Sequence, residues 1–260
     1  MITLPPLLMT SCVTATALSA QLRDQNTRIE LTVKSIAKWL SITNDLKIII
    51  CDGSNYDFSS IIAKSFPSND IECLYFNNDS KSVALYGKGY GEGEIIKYAL
   101  ENSVFLNEAK YFAKCTAKLW VDNLSDCLRY WNGTFLCDCN FSYFQSNKFI
   151  TFKSIDTSFY IVDKQFYVKN FLSAYVNVRE NKRYWLEHSF KDIAVANNLE
   201  KFMFPVAPII LGVSGTSGLQ NKHTFKNKVK DAAKHFLVKA NMSYAAFVAN
   251  VPDSRQDWVK

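Results

Sequence analysis

The chain has 260 residues, of which 48% are apolar and 14% aromatic, and a formal net charge of +6. This length and apolar content predict one large core, and nine glycines and six prolines without a long polar tract exclude a disordered or repeat protein. The modest positive charge favours a partner such as a nucleotide phosphate or an anionic membrane and is too small for duplex DNA, so no nucleic-acid partner is expected.

The cysteines and the N-terminal residues favour a cytoplasmic location. The seven cysteines are odd in number and lie mostly within apolar runs, which favours reduced thiols in a cytoplasmic protein. Residues 1–21 contain no Lys or Arg, so the basic region of a secretory signal is missing, and we predict a first buried strand and a loop there. No other apolar run approaches the ~18 residues of a membrane span.

The first half of the chain alternates between helix and strand patterns. Apolar residues recur every three or four positions from Ile29 to Leu40, which predicts an amphipathic helix beginning near Arg28. Residues 46–51 are a continuous apolar run that ends in a polar loop, which is typical of a central parallel strand whose carboxyl end faces a ligand. A second strand is predicted at residues 71–76 and a third at residues 111–121.

Residues 86–94 are rich in glycine and lead into a predicted helix at residues 95–101. Four glycines between positions 87 and 93 would let the backbone approach a ligand closely, and a helix N-terminus favours a phosphate. The segment therefore predicts an anion-binding loop. Its spacing matches neither the dinucleotide motif nor the P-loop, so a glycine-rich turn without a ligand remains the alternative.

The second half of the chain changes character. Aromatic, β-prone residues between 136 and 168 predict antiparallel strands, residues 183–197 a helix, and residues 204–213 a strand or loop. The fold class is therefore predicted to be α/β, with a mostly parallel central sheet flanked by helices and a small antiparallel portion.

A last helix is predicted to begin near Thr224. One face carries apolar residues and the opposite face lysines, so the helix could either lie on an anionic membrane or pack on the domain with its lysines in solvent, and we favour packing. We divide the chain into a main domain, residues 1–220, and a basic amphipathic helix with a tail, residues 221–260. The predicted apolar stripe consists of Phe225, Val229, Ala232, Ala233, Phe236 and Leu237.

Several short segments occur in a recognisable order. They are residues 8–12 (LMTSC), the helix start at 28, and residues 51–57 (CDGSNYD), 87–92 (GKGYGE), 112–118 (FAKCTAK), 155–160 (IDTSFY), 185–188 (WLEH) and 212–218 (GVSGTSG). The ordered set, spanning roughly residues 5–220, resembles a family of bacterial glycosyltransferases of capsule and lipopolysaccharide O-antigen synthesis with GT-A-like folds. The resemblance implies a nucleotide-sugar donor, which we take to be UDP-linked, an oligosaccharide or lipid-linked glycan acceptor, and a cytoplasmic site. The basic last helix could add a peripheral contact with the inner membrane.

The third-strand segment departs from that family. Its members commonly read Lys-x-Thr-Gly-Arg there, whereas this chain has Ala117 and Lys118 in the last two positions. Lysine lacks the planar fork with which arginine grips a phosphate, so Lys118 is expected to contact a diphosphate as a single point charge.

Glycosyl transfer needs a base for the incoming hydroxyl, positive charge near the departing diphosphate, and groups that hold the sugar. Glu187 follows two aromatic residues that would raise its pKa, so we predict it to be the base and predict that Asp156 grips acceptor or donor hydroxyls. Asp52 is predicted to contact uracil or ribose, with the cap of an Asx turn as its alternative. The remaining predicted donor-binding residues are Thr10, Ser11, Arg28, Gly53, Lys88, Gly89, Tyr90, Gly91, Glu92, Lys114, Thr116 and Lys118.

The chain contains no Asp-x-Asp, the motif with which GT-A enzymes usually hold a metal. Either dispersed carboxylates bind Mg²⁺ or Mn²⁺, or lysines supply the positive charge, and we favour the lysines and predict no metal ligand.

Two alternatives to a glycosyltransferase are open at this stage. A catalytically inactive protein with this fold would act as a carbohydrate- or partner-binding subunit. The departures from the family motif at residues 117 and 118 are compatible with such a loss of activity. Nucleotidyl transfer to a sugar phosphate is weaker, because no glycine- and arginine-rich loop follows the first predicted strand.

Overall fold

The computed structural model describes residues 4–17, 20–145, 148–215, 217–222 and 224–250. The strands are β1 Leu7–Ser11, β2 Ile48–Asp52, β3 Ile71–Tyr75, β4 Tyr111–Thr116, β5 Leu119–Val121, β6 Phe135–Gln145, β7 Lys148–Asp163, β8 Ile210–Val213 and β9 Gln220–Asn221. The helices are α1 Gln25–Ile42, α2 Ser59–Ser65, α3 Ser80–Tyr86, α4 Lys88–Asn102, α5 Val104–Glu108, α6 Leu124–Arg129, α7 Lys164–Asn170, α8 Leu186–Ala196, α9 Phe225–Ala240 and α10 Met242–Ala245, with short 3₁₀ turns at Ala174–Asn177 and Glu180–Lys182.

The central sheet has six strands in the order β3-β2-β1-β4-β7-β6. The pairs β3–β2, β2–β1 and β1–β4 are parallel, whereas β7 pairs antiparallel with both β4 and β6. This arrangement confirms the predicted α/β class with a mostly parallel sheet and a small antiparallel portion. The strand order reverses between β1 and β4, and ligands of open α/β sheets bind at such a reversal.

Two hydrophobic cores cover the two faces of the sheet. Alternate residues of a strand point to opposite faces, so Leu8 and Ile49 join one core together with α4 and α8. Leu7 and Ile48 join the other core, in which Trp39 of α1 is completely buried. The predicted helix near Arg28 and the predicted strands at residues 46–51 and 71–76 are thereby confirmed, with bounds shifted by one to three residues.

The strand predicted at residues 111–121 is wrong in one respect, because it is two strands. β4 ends at Thr116, and Lys118 adopts a left-handed conformation with φ 75°, which turns the chain out of the central sheet. β5 then pairs antiparallel with β8 in a separate three-stranded sheet. The break puts Lys118 at the edge of the central sheet.

The glycine-rich segment is helical, which corrects the prediction of a loop. Helix α4 already begins at Lys88, so Gly89, Gly91 and Gly93 lie in its first two turns. A Cβ on Gly93 would stand 2.1 Å from the Cβ of Tyr175. The lack of side chains at these positions lets neighbouring segments pack closely against the helix.

Helix α9 begins where predicted, after Thr224, but the wrong face was expected to pack. His235 and Val238 are buried, whereas Phe225 and Phe236 of the predicted apolar stripe are 80% and 71% exposed. The helix is held by the ion pair of Lys234 with Asp138 and by the contact of His235 Nε2 with the carbonyl of Phe204, so polar anchors decided its orientation.

Other features bear on the remaining predictions. Every cysteine is a free thiol, and five of them are buried. Among the residues that the structure describes, no helix combines the length and hydropathy that a bilayer crossing needs. The predicted boundary at residue 220 falls within β9 and stays a prediction, and residues 251–260 of the predicted tail lie outside the described ranges.

We expect Gly93→Ala to destabilise the protein by about 1–3 kcal/mol, because the added methyl group collides with the Cβ of Tyr175. Helix propensity alone would favour alanine by ~1 kcal/mol, so the sign of the change identifies the packing contact. Urea unfolding measures the difference. Lys97→Ala, at an exposed position of α4, is the matched control, and a Gly93→Ala protein as stable as that control would contradict the close contact.

Candidate active site

A cleft of about 410 Å³ opens at the carboxyl ends of the parallel strands. Thr10 and Ser11 at the end of β1 and Thr116 at the end of β4 line it, so the cleft lies at the point where the strand order reverses. Thr157 and Ser158 line it from the neighbouring strand β7.

Arg28 is a buried cation in the wall of this cleft, where it is 6% exposed in the first turn of α1. Its Nε donates to the carbonyl of Cys12 at 2.7 Å, and its Nη1 donates to the carbonyls of Leu22 at 2.8 Å and Gly215 at 3.4 Å. These acceptors are neutral. Within the described ranges, Arg28 forms no ion pair.

Lys118 is a second buried cation in the same wall and is 3% exposed. The position that a Cβ on Gly215 would occupy is 3.6 Å from Lys118 Nζ and 3.7 Å from Arg28 Nη1, so the two cations meet at this glycine. Burial lowers the pKa of Lys118 to about 7, and the Arg28 guanidinium adds to that effect. No carboxylate of the described chain forms an ion pair with Lys118 either.

Two adjacent buried cations without ion-pair partners cost free energy as long as no anionic ligand is bound. Asp52 lies near enough to act on both, but its oxygens accept hydrogen bonds from the N–H groups of Val13, Ser54 and Tyr56. The arrangement therefore suits an anion with several oxygens entering from the cleft.

Unpaired hydroxyl groups lie beside the cations. The Thr10 Oγ1 and Ser11 Oγ atoms are buried and have no hydrogen-bond partner within the described chain, as is the case for Asn78 Oδ1. All three residues line the cleft. Buried polar atoms are rarely left unpaired, so these atoms are available to a polar ligand.

Glu187 supplies a carboxylate to the cleft from the first turn of α8. Burial raises the pKa of Glu187, the carboxylates of Glu92 and Asp156 act in the same direction, and the Lys88 ammonium opposes them. A carboxylate with a raised pKa accepts a proton more readily near neutral pH, which is what a general base requires.

Lys114 does not line the cleft, contrary to the prediction that it contacts the diphosphate. It is completely buried and forms an ion pair with Glu92, and its Nζ also donates to Thr116 Oγ1 at 3.1 Å and the carbonyl of Thr157 at 2.7 Å. These three acceptors satisfy its three N–H groups. Lys114 instead fixes three residues that do line the cleft.

Asp52 and Gly53 also differ from the prediction of nucleotide contact. Asp52 is completely buried and caps the loops after β1 and β2, which is the Asx-type alternative left open by the sequence. A Cβ on Gly53 would stand 2.6 Å from Asn78 Nδ2, so this glycine makes room for Asn78.

The predicted anion site at the glycine-rich segment is occupied by the protein itself. The Glu180 carboxylate accepts from the N–H of Gly89 at 3.0 Å, at the N-terminus of α4. Gly89 and Tyr90 do not line the cleft, whereas Lys88, Gly91 and Glu92 do.

Asp156 lies outside this cleft, so the structure does not bring it together with Glu187, and its role in gripping acceptor or donor hydroxyls stays a prediction. It lines a second, polar cleft of about 610 Å³, together with Asp138 and residues of β9 and α9. Burial raises the pKa of Asp156, and the Asp138 carboxylate adds to the rise.

Within the described ranges, no three His, Cys, Asp or Glu side chains are grouped to hold a metal ion. Of the two acidic residues in the described lining of the first cleft, Glu92 is paired with Lys114, and Glu187 is the remaining carboxylate. This donor set does not fit a metal site built from protein carboxylates, so we derive no step through a metal.

Part of the cleft wall comes from residues that the sequence analysis did not predict to lie in the site. Asn78 lies in the loop after β3, at the end of the sheet where the carboxyl ends of the parallel strands meet. Ser214, Gly215 and Ser217 form the turn after β8. The serine- and glycine-rich composition at 214–218 was a usable signal, because such turns bring backbone close to a ligand. Asn78 carries no comparable signal.

No family model and no curated protein matches the sequence. Among solved structures, the chain is similar to a putative nucleotide-diphospho-sugar transferase from Desulfovibrio desulfuricans G20, with 9% identity, a TM-score of 0.45, and coverage of 76% of this chain and 78% of that one. It is also similar to a glycosyltransferase involved in the glycosylation of the major capsid of PBCV-1, with 9% identity, a TM-score of 0.40 and coverage of 76% and 80%.

A third similar structure is the inositol-1-phosphate CTP transferase from T. maritima, with 10% identity, a TM-score of 0.41 and coverage of 75% and 82%. At such identities and TM-scores, a functional assignment has to come from the side chains of the cleft.

We expect Lys118→Met to stabilise the protein at pH 7, by up to a few kcal/mol, because it removes a buried cation. The pKa of Lys118 is lowered to about 7 in the folded protein from 10.5, so the unfolded chain binds more protons between these values and this residue makes stability rise with pH. The advantage of Lys118→Met should therefore shrink as the pH rises from 7 towards 10.

Urea unfolding of both proteins across this pH range checks the prediction, since other titrating groups cancel in the difference. Lys34→Met, at an exposed position of α1, is the control and should leave stability nearly unchanged. If Lys118→Met is less stable than the wild-type protein at pH 7, the claim that Lys118 is a destabilising buried cation is contradicted.

Proposed function

We propose that the protein is a glycosyltransferase that moves a sugar from a nucleoside-diphosphate donor, UDP-linked by preference, to an oligosaccharide or lipid-linked glycan of a bacterial surface polysaccharide. The observation that carries this proposal is the pair of buried cations, Arg28 and Lys118, which face one cleft and form no ion pair within the described chain. A pyrophosphate has the charge and the number of oxygens to satisfy both.

The donor would lie with its diphosphate on these cations and its nucleoside along the hydroxyl groups of Thr10 and Ser11. Arg28 contributes N–H donors in a fixed plane, while Lys118 contributes a single ammonium whose proton is held more firmly once the phosphate is bound. Lys88 lines the same cleft and supports the binding of an anion there.

Transfer would proceed as one displacement with inversion. The Glu187 carboxylate takes the proton of an acceptor hydroxyl, whose oxygen forms a bond to the anomeric carbon as the bond from that carbon to the diphosphate oxygen breaks. The electron pair of the broken bond leaves with UDP, and Arg28 and Lys118 stabilise the added negative charge. This route needs one base and no covalent intermediate.

We expect UDP to raise the melting temperature of the protein in EDTA as well as in Mg²⁺, because the protein's own cations neutralise the diphosphate. A thermal-shift panel of UDP, GDP, CDP and uridine measures this, and binding to the folded state raises stability as the ratio of ligand to Kd grows. If none of these nucleotides shifts the melting temperature under either condition, the donor site is contradicted.

Glu187→Gln should lower the rate of UDP release from UDP-hexoses at least about a hundredfold, because a neutral amide accepts no proton at this position. Its UDP affinity should stay close to that of the wild-type protein. Glu200→Gln, an exposed substitution, is the matched control and should change neither quantity. Undiminished release by Glu187→Gln would remove Glu187 from the mechanism.

The affinity for UDP should fall as the pH rises above 7, approaching tenfold per pH unit, because Lys118 has a pKa of about 7 in the free protein and must be protonated to hold the phosphate. The phosphate itself, with a second pKa of about 6, is already ionised in this range. In Lys118→Arg the affinity should be nearly independent of pH, because arginine stays charged. Calorimetric titration from pH 7 to 9 measures both, and equal pH dependence of the two proteins would contradict the contact.

A further inference from the structure

Helix α9 presents an apolar stripe to solvent. Phe225 is 80% exposed, Val229 54% and Phe236 71%, and Met242, just beyond the helix, is 95% exposed. At about 100° per residue, positions 225, 229, 232 and 236 lie within about 60° of one another around the helix axis. Exposed aromatic side chains aligned in this way mark an interaction surface.

The contacts of α9 show that this orientation is built into the fold. Lys234 Nζ binds both carboxylate oxygens of Asp138 at 2.7 Å, His235 Nε2 contacts the carbonyl of Phe204 at 2.8 Å, and Val238 is completely buried. Lys234 and Val238 lie on the side of the helix opposite the stripe, and His235 lies on one flank between the two sides. The helix is therefore anchored through polar and apolar contacts on one side, which keeps the phenylalanines turned outward.

Exposed lysines border the stripe on both sides. By the same angular spacing, Lys228 and Lys239 lie on one flank and Lys226 lies on the other, and all three are exposed. The acid of this helix, Asp231, lies on the packed side and is half-buried. The outward surface thus combines aromatic side chains with positive charge and carries no acid of its own.

We propose that this face of α9, which we call the outward face, docks on the anionic surface of a phospholipid membrane. The phenylalanines would enter the boundary between headgroups and acyl chains, while Lys226, Lys228 and Lys239 contact the phosphates. Charge complementarity selects this occupant, because a neutral protein surface would leave the lysines without partners. The inference is independent of the proposed donor chemistry.

The same helix forms part of the wall of the second cleft. Asn227, Lys230 and Asp231 line that cleft together with Asp156. Docking of the outward face would therefore hold the second cleft close to the bilayer.

Flotation of the full chain with unilamellar vesicles tests the proposal. We expect binding to an equal mixture of phosphatidylcholine and phosphatidylglycerol, little binding to phosphatidylcholine alone, and release at high salt. Phe225→Ser/Phe236→Ser should lower the partition coefficient at least about tenfold through lost apolar burial. Lys226→Gln/Lys228→Gln/Lys239→Gln should lower it by about fivefold per lysine.

Leu85→Ser/Val195→Ser is the matched control, because these side chains are 58% and 52% exposed on other helices, and it should bind as the wild-type chain does. Unchanged circular dichroism and melting temperature would show that the α9 variants fold. The proposal is overturned if the chain does not bind the mixed vesicles, binds both compositions equally, or keeps its affinity in the α9 variants. It is overturned equally if Phe225→Ser/Phe236→Ser abolishes only self-association in sedimentation.

Discussion

The burial of Arg28 and Lys118 side by side is the constraint from which the organisation of the cleft follows. A buried cation without a carboxylate partner costs free energy, so the surrounding backbone is arranged to reduce that cost. Carbonyl groups of Cys12, Leu22 and Gly215 accept from Arg28, and the missing side chain at Gly215 leaves space where the two cations meet. Lys118 reaches this position only because its left-handed conformation takes the chain out of β4.

Within the described part of the chain, the acidic residues around the cleft form no ion pair with these two cations. Asp52 accepts backbone hydrogen bonds, Glu92 pairs with Lys114, and Glu180 covers the N-terminus of α4. Each of these carboxylates orders a segment that borders or supports the cleft. Glu187 also lines the cleft, and burial raises its pKa. The proposed chemistry depends on this division between structural acids and one acid that faces the ligand.

The regular elements were predictable because their apolar residues follow the periods of a helix or a strand. The stripe from Ile29 to Leu40 forms the predicted helix and the run at residues 46–51 forms the predicted parallel strand, since the sheet buries both of its faces. The strand break at Lys118 was not predictable from periodicity, because Leu119 and Val121 continue an apolar pattern into a different sheet. Conformation there depends on pairing with a strand about ninety residues further along the chain.

The candidate site was predicted only in part, and the errors share a physical cause. Sequence indicates which charged residues lie near a strand end, but not whether a partner from elsewhere will neutralise them, as Glu92 does for Lys114. The orientation of α9 was missed for a similar reason, because its apolar stripe suggested packing while the bonds of Lys234 and His235 determined the side that faces the domain. Asp156 lines the second cleft although the next two residues, Thr157 and Ser158, line the first one, which adjacency in the sequence does not reveal.

A crystal structure of the protein with UDP tests the central claim most directly. The account predicts diphosphate oxygens within about 3 Å of both Lys118 Nζ and the Arg28 guanidinium, with the nucleoside along the end of β1. A diphosphate bound away from both cations would contradict it.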